Sequence, residues 1–146
     1  MPALRIPASR LAVTLGMAGL VPFVVLASCL WFVAPEWQPV FARALAGWAA
    51  LVLAFSGAVH WGAALYEGEG PENGWRYLYG VCPALLAWVA LLLPVPQALF
   101  LIFWGYVAAF VVDRRVWPGH DWYVILRAAL TILASACLFA GYKALQ

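Results

Sequence analysis

His60 is the residue of this chain whose type and position most clearly allow chemistry. It lies in an apolar stretch of transmembrane length, from Arg43 to Tyr66. Ser56 comes one helical turn before it and Glu67 two turns after it, so a hydroxyl, an imidazole and a carboxylate share one helix face. Ionisable groups inside a membrane span are costly and normally face the bundle interior, where another group satisfies them. The pattern predicts a polar site around His60.

Polar residues near the ends of later apolar stretches are the candidates to complete this site. Asp113 and Arg114 end one stretch, and Arg127 lies in the first turns of the next. Because consecutive spans alternate in direction, these groups approach His60 from one side of the membrane. We therefore predict a cytoplasm-facing pocket. Its candidate ligand-binding residues are Ser56, His60, Trp61, Asp113, Arg114 and Arg127.

The role of His60 within such a pocket stays open between three alternatives. Its imidazole could donate a hydrogen bond to a neighbouring helix and fix the packing, contact a ligand, or carry a proton. Haem needs an axial ligand, and the second histidine, His120, stands in a loop beside Pro118 and Gly119, which disfavours a paired-histidine site. A quinone or similar flat molecule fits more easily, with tryptophan walls and His60 or Arg127 as its polar anchor.

Several classes of site and partner are disfavoured by the sequence. It contains no GxSxG, HExxH or phosphate-loop pattern, so a non-enzymatic role is favoured and no catalytic residue is assigned. Cys29, Cys82 and Cys137 stand singly in apolar runs, which is typical of buried thiols rather than metal ligands. The net charge of +2 is too small and too scattered for a nucleic-acid partner.

The composition places the chain in a membrane. Of its 146 residues, 67% are hydrophobic and 10% are charged, with a mean hydropathy of +0.94. A soluble domain carries about a quarter charged residues, so this apolar surplus must face lipid. The first apolar run, Leu11 to Val33, is longer than the roughly 7–15 residues of a signal sequence. It is therefore interpreted as a retained helix.

The apolar runs predict an all-α integral membrane bundle of five transmembrane helices, forming a single domain over residues 1–146. Pro22 and Pro83 fall inside two of the runs, and Pro22 predicts a kink. The fourth run is close to the lower length limit for a span. Several of the nine tryptophans fall near span ends, as interfacial anchors do. The predicted spans are about 11–33, 40–66, 75–93, 97–113 and 122–142.

The distribution of basic residues predicts the orientation. With the N-terminus in the cytoplasm, Arg43 and Lys143 lie on the opposite side, and all other basic residues lie on the cytoplasmic side. Basic residues near span ends set topology. We therefore predict a bacterial inner-membrane protein with a cytoplasmic N-terminus and a periplasmic C-terminus. The cytoplasmic basic residues are Arg5, Arg10, Arg76, Arg114, Arg115 and Arg127.

A family resemblance is carried by four motifs in order along the chain. They are LGMAGLVPFV (Leu15 to Val24), FSGAVHWGAAL (Phe55 to Leu65), CPALLAWVALLLP (Cys82 to Pro94) and the turn Asp113-Arg114-Arg115. At these motifs the chain resembles bacterial domain-of-unknown-function proteins related to mitochondrial transmembrane protein 69. The resemblance covers about residues 11–139. It implies a small multi-spanning protein of an energy-transducing membrane and brings no established activity.

Three functions are consistent with these features. The first is an accessory, scaffold or assembly protein that contacts another membrane protein, or a second copy of itself, through its helices. The alternative is a binding protein for a haem-like, quinone-like or lipid-like ligand in the pocket around His60. The third is a proton-coupled transporter or channel. In all three the lipid bilayer is the surrounding partner.

Overall fold

In the computed structural model, the described part of the chain is a helical bundle without a β-strand. The structure describes residues 8–68, 70–117 and 119–146. Along this part of the chain, α-helices follow one another, with a short 3-10 turn at Pro71–Asn73. The helices are α1 (Ala8–Ala18), α2 (Val21–Phe32), α3 (Gln38–Glu67), α4 (Gly74–Leu91), α5 (Val95–Val116) and α6 (Asp121–Ala144).

The longest helix, α3, lies at the centre of the bundle and contains the predicted span 40–66. It packs against α2, α4, α5 and α6. Small residues on its buried surface, such as Ala42 and Ala49, let neighbouring helices approach closely. Leu45 and Leu53 are fully buried between them. His60 therefore belongs to a central helix that packs against four others.

The first predicted span is divided into two helices by a break at Gly19 and Leu20. Pro22 lacks the N–H that would bond the Ala18 carbonyl, and its ring crowds that carbonyl. The helix accordingly ends at Ala18 and restarts just beyond the break. The indole Nε1 of Trp48 donates to the Gly19 carbonyl at 3.1 Å, which satisfies a backbone acceptor at the break. The helix is thus interrupted near Pro22, where a kink was predicted, and α1 packs mainly against α6.

The contact between α3 and α4 is the most extensive in the bundle and depends on two glycines. A Cβ atom at Gly57 would collide with the Gly80 carbonyl, and one at Gly80 would collide with the Trp61 indole. The Trp61 Nε1 donates to the Tyr77 carbonyl at 2.7 Å. This side of the bundle is therefore closely packed.

Four helical segments are long and apolar enough to cross a membrane, which establishes a membrane helical bundle. α4 is not among them; its first half carries Arg76 between tryptophan and tyrosine residues. α5 contains 22 residues, so the fourth predicted span, 97–113, is longer than its sequence pattern indicated. The four segments are Ser9–Phe32, Gln38–Glu67, Val95–Val116 and Asp121–Ala144.

Candidate functional site

Three helices meet at a buried group of His60, Asp113 and Arg127, which we call the polar cluster. The His60 Nε2 lies 2.9 Å from Asp113 Oδ1, and the Arg127 Nε donates to Asp113 Oδ2 at 2.5 Å. The three residues are only 0%, 2% and 8% exposed, respectively. Asp113 thus uses one oxygen for α3 and the other for α6. The meeting of His60 with Asp113 and Arg127, predicted from their positions, is present in the structure.

The chemistry of the polar cluster follows from its donors and acceptors. A carboxylate accepts hydrogen bonds, so we assign the imidazole proton to the His60 Nε2 that faces Asp113. The Arg127 guanidinium supplies the opposite charge that a buried carboxylate requires. Among the described residues, His60 Nδ1 and Arg127 Nη2 have no hydrogen-bond partner. The cluster therefore joins three helices and keeps donor capacity on Arg127.

Aromatic rings enclose the imidazole of His60. The Tyr79 ring lies edge-on at 4.7 Å between centroids, and the Trp117 and Trp75 rings lie at 6.0 and 6.2 Å. The Arg76 guanidinium lies over both tryptophan rings, at 5.2 Å from Trp117 and 5.8 Å from Trp75. These four residues, Tyr79, Trp117, Trp75 and Arg76, form an aromatic cap that separates His60 from the end of the bundle.

A cavity of about 430 Å³ lies between α1, α3 and α6, beside the polar cluster. Arg127 lines both the cavity and the cluster. Its volume falls in the usual range of small-molecule pockets, about 300–1,000 Å³. Most of its wall is apolar, including Leu15, Phe23, Val52, Val59, Leu126 and Leu130.

The lining of this α1–α3–α6 cavity contains Trp122 and Tyr123 and four further polar side chains, which divide into two kinds. Ser56 and Tyr106 donate their hydroxyl protons to carbonyls of α3, at 2.7 and 2.9 Å. Arg127 Nη2 and Thr131 Oγ1, in contrast, are buried without a partner in the described part of the chain. Arg127 and Thr131 are one turn apart on α6. Two residues that line the cavity, Arg127 and Thr131, therefore each carry one buried polar atom with unused hydrogen-bonding capacity in the described structure.

The remaining predicted site residues have different surroundings. Ser56 lies on the cavity wall one turn from His60. Trp61 is 43% exposed and directs its indole to α4, because adjacent residues of a helix point about 100° apart. Arg114 is exposed for the same reason, although it follows Asp113 directly. The structure thus brings Ser56, His60, Asp113 and Arg127 into one region and leaves Trp61 and Arg114 outside it.

Comparison with known proteins places this arrangement in a family. Residues 8–142 match the family model described as protein of unknown function (DUF3429). The chain belongs to the DUF3429 family. Over 131 residues it is 37% identical to the curated Xenopus tropicalis protein "Transmembrane protein 69". That match covers 87% of the chain and 51% of the relative, so the chain spans about half the length of this curated relative.

The relationship to transmembrane protein 69 that the motifs predicted is thereby confirmed. No solved structure shows significant similarity to the chain.

Sequence reasoning missed two side chains that the structure of this DUF3429 protein adds to the site. Thr131 lies four residues after Arg127 and therefore on the same face of α6. That four-residue spacing could have identified Thr131 from the sequence. Tyr79, the nearest ring to His60, belongs to α4 and carries no such signal, because only the packing of α4 on α3 brings it close.

The geometry at His60 does not fit axial haem ligation. The Nε2 atom faces Asp113 at 2.9 Å, and the side chain is completely buried against the aromatic cap. The residues around the α1–α3–α6 cavity fit an organic ligand better, because the wall is apolar and Arg127 supplies a polar end. Within the described ranges, no group of histidine, cysteine, aspartate and glutamate side chains could hold a metal ion.

Proposed function

We propose that this DUF3429 protein is a membrane binding protein for an amphipathic molecule held in the α1–α3–α6 cavity. The observation that carries the proposal is the pairing of an apolar wall with two lining residues, Arg127 and Thr131, that each carry a buried polar atom without a partner in the described structure. Leaving a buried polar group unpaired costs about 1–3 kcal/mol. A ligand that pairs with both groups recovers that energy, so the wall favours an occupant with one polar end.

Access to the cavity is from the lipid side in this proposal. Leu15 on α1 and Phe55 on α3 line the cavity and are also 63% and 71% exposed on the outside of the bundle. A molecule dissolved in the bilayer reaches the wall between these two side chains without crossing water. The break at Gly19 supports this route, because α1 is joined to α2 by a non-helical step.

The test is to fill the cavity without disturbing the polar cluster. A Cβ atom at Gly16 would lie 3.4 Å from Leu130 and 3.5 Å from Leu126, in ordinary contact on the cavity wall. Gly16→Leu therefore places a side chain in the ligand's space. Gly47→Leu is the matched control, because no described atom lies within 4 Å of a Cβ there.

The measurement is native mass spectrometry of protein purified gently with its native lipids. We expect a bound small molecule on the wild-type protein and on Gly47→Leu, and its loss on Gly16→Leu. Equal occupancy in both variants would contradict a ligand in this cavity.

The proposal includes five membrane crossings, with α4 as the additional one. α4 begins beside Trp61 on α3 and ends beside Ala46, a rise of roughly 20 Å along α3. This length along a neighbouring span supports a crossing despite the polar residues in its first half. Five crossings place the N-terminus and the C-terminus on opposite sides of the membrane.

We further propose that the polar cluster lies toward the cytoplasm of a bacterial cell, in the inner membrane. Arg10, Arg76, Arg114 and Arg115 fall at this end of the helices, which agrees with the positive-inside rule; Arg5 lies outside the described residues. A C-terminal alkaline phosphatase fusion should then be active in the periplasm, and a C-terminal fusion inactive there would contradict the orientation.

An accessory or scaffold role is the second candidate. The connections between helices are short, so contacts with a partner would use the helix faces. A groove between α2 and α6 is lined partly by small residues, at which another helix can approach, and also by larger ones such as Trp31 and Phe32; the small ones are Ala27, Ser28, Ala136 and Ala140. If Gly16→Leu leaves all co-purifying proteins bound and no small molecule is found, this role replaces the first. Proton transport, the third candidate, requires proton flux in liposomes that depends on His60.

A further inference from the structure

We infer that the polar end of the cavity's ligand is an uncharged carbonyl group rather than an anion. This inference rests on the proposed function and specifies its ligand class. Arg127 and Thr131 both line the cavity, and their atoms without a partner in the described structure, Nη2 and Oγ1, differ in type. A guanidinium only donates hydrogen bonds, and a threonine hydroxyl donates or accepts. The ligand must therefore supply an acceptor to Arg127.

The charge on Arg127 is already compensated within the protein. Its Nε donates a hydrogen bond to Asp113, which also faces His60. Asp113 and His60 are both buried. Among the described residues that line the cavity, Arg127 is the sole charged one. A carboxylate or phosphate would place a second negative charge next to Asp113, with one guanidinium between them. Burying an uncompensated charge in a membrane protein is costly.

A carbonyl oxygen satisfies the same donors without adding charge. It has two lone pairs, so one oxygen can accept from both Arg127 Nη2 and the Thr131 hydroxyl. These side chains lie one turn apart on the same face of α6, where side chains are neighbours. The apolar wall and the lipid-side opening then take an aliphatic tail or ring. The ligand class is a lipophilic carbonyl compound, either a quinone or an acyl ester.

The test compares probes that share a tail and differ at the polar end. Methyl decanoate and decanoic acid differ in charge, at a pH where the acid is ionised, and a decyl-substituted benzoquinone distinguishes a quinone from an ester. Binding to the purified wild-type protein is titrated by native mass spectrometry. We expect the ester or the quinone to bind more tightly than the carboxylate. Tighter binding of decanoic acid would overturn the carbonyl assignment and leave the cavity as the binding site.

The proposed hydrogen bond between the Thr131 hydroxyl and the ligand, which we call the anchor, is tested with Thr131→Val. This variant keeps the shape of the side chain and removes the hydroxyl. Because this hydroxyl has no partner in the described structure, the variant should fold. Loss of one hydrogen bond to the ligand should weaken binding of the neutral probe by about 3- to 10-fold. Substitution of Arg127 is avoided, because it would leave Asp113 buried without its cation.

The matched control is Ser135→Ala, one turn further along the same face of α6 and outside the cavity lining. It also removes a buried hydroxyl that has no partner in the described ranges. We expect its affinity for the neutral probe to equal that of the wild type. Equal affinities for wild type, Thr131→Val and Ser135→Ala would overturn the anchor. If no probe binds wild type more strongly than Gly16→Leu, both this inference and the proposed function are wrong.

Discussion

The polar cluster and the wall of the α1–α3–α6 cavity share Arg127 but differ in whether their buried polar groups have hydrogen-bond partners. In the cluster, both oxygens of Asp113 have partners from other helices, and aromatic rings close the site. On the wall, Arg127 Nη2 and Thr131 Oγ1 are buried without partners in the described structure. The comparison indicates that Arg127 Nε joins two helices through Asp113, whereas Arg127 Nη2 is unused in the described structure and is the atom that the proposed ligand would pair with.

The same contrast appears in the packing of glycines. Gly57 and Gly80, between α3 and α4, leave no room for a Cβ atom, whereas Gly16, on the cavity wall, would accept one in ordinary contact. Close packing of this kind resists volume changes. The α4 side of α3 is therefore built for rigidity, and the α1 side has space.

The largest expected effect is at Asp113. Asp113→Ala removes the carboxylate and leaves Arg127 buried without a counter-charge, a loss on the order of 3–5 kcal/mol. The free energy of unfolding, measured by titration with SDS, should fall by this amount or the protein should fail to purify as a monodisperse species. Asp121→Ala, an exposed carboxylate at the start of α6, is the control. Equal stability of the two variants would contradict the structural role of the cluster.

The second-largest loss in the free energy of unfolding is expected at the closely packed glycine pair, Gly57 and Gly80. Gly57→Ala forces the α4 backbone away, because the new methyl group meets the Gly80 carbonyl. We expect a loss of roughly 1–3 kcal/mol, typical of overpacking. Gly62→Ala adds the same methyl group where no described atom lies within 4 Å, so its unfolding free energy should be unchanged or slightly increased. A neutral Gly57→Ala would mean that α4 is loosely attached.

A smaller loss of stability is expected from substitution of His60, and this variant distinguishes an effect on stability from an effect on ligand binding. His60→Gln weakens a buried hydrogen bond to Asp113, which should cost about 1 kcal/mol. Ligand occupancy should stay close to that of the wild type, because His60 is not among the residues that line the cavity. His120→Gln, an exposed position, is the control for both measurements. A large loss of occupancy in His60→Gln would place the ligand against the imidazole instead.

The smallest effect on stability is expected at Thr131. In protein stripped of ligand, Thr131→Val should change the free energy of unfolding by no more than about 0.5 kcal/mol, toward higher stability, because it removes a hydroxyl that has no partner in the described structure. Melting followed by tryptophan fluorescence would measure it. A loss above ~1 kcal/mol would show that the hydroxyl has a structural partner, and the comparison between cluster and wall would no longer hold.

The sequence by itself determined that the protein is a membrane helical bundle and that His60 points inward. Both conclusions depend on properties of single helices: the length of an apolar run and the cost of an ionisable group in lipid. The break near Pro22 is also local, because proline acts on the carbonyl four residues earlier. The family relationship was likewise readable from motifs, and the match over residues 8–142 confirms it.

Only the tertiary structure decided which of the candidate groups meet. Asp113 and Arg114 are adjacent in sequence, and so are His60 and Trp61, yet one of each pair is buried in the cluster and the other is directed away. The sequence predicted a pocket that included Ser56 and Arg127, but the position of the cavity and the place of Thr131 in its lining were not predicted, because they depend on how α1, α3 and α6 pack together. Helical periodicity assigns residues to faces of one helix, whereas the partner of each face depends on how several helices pack.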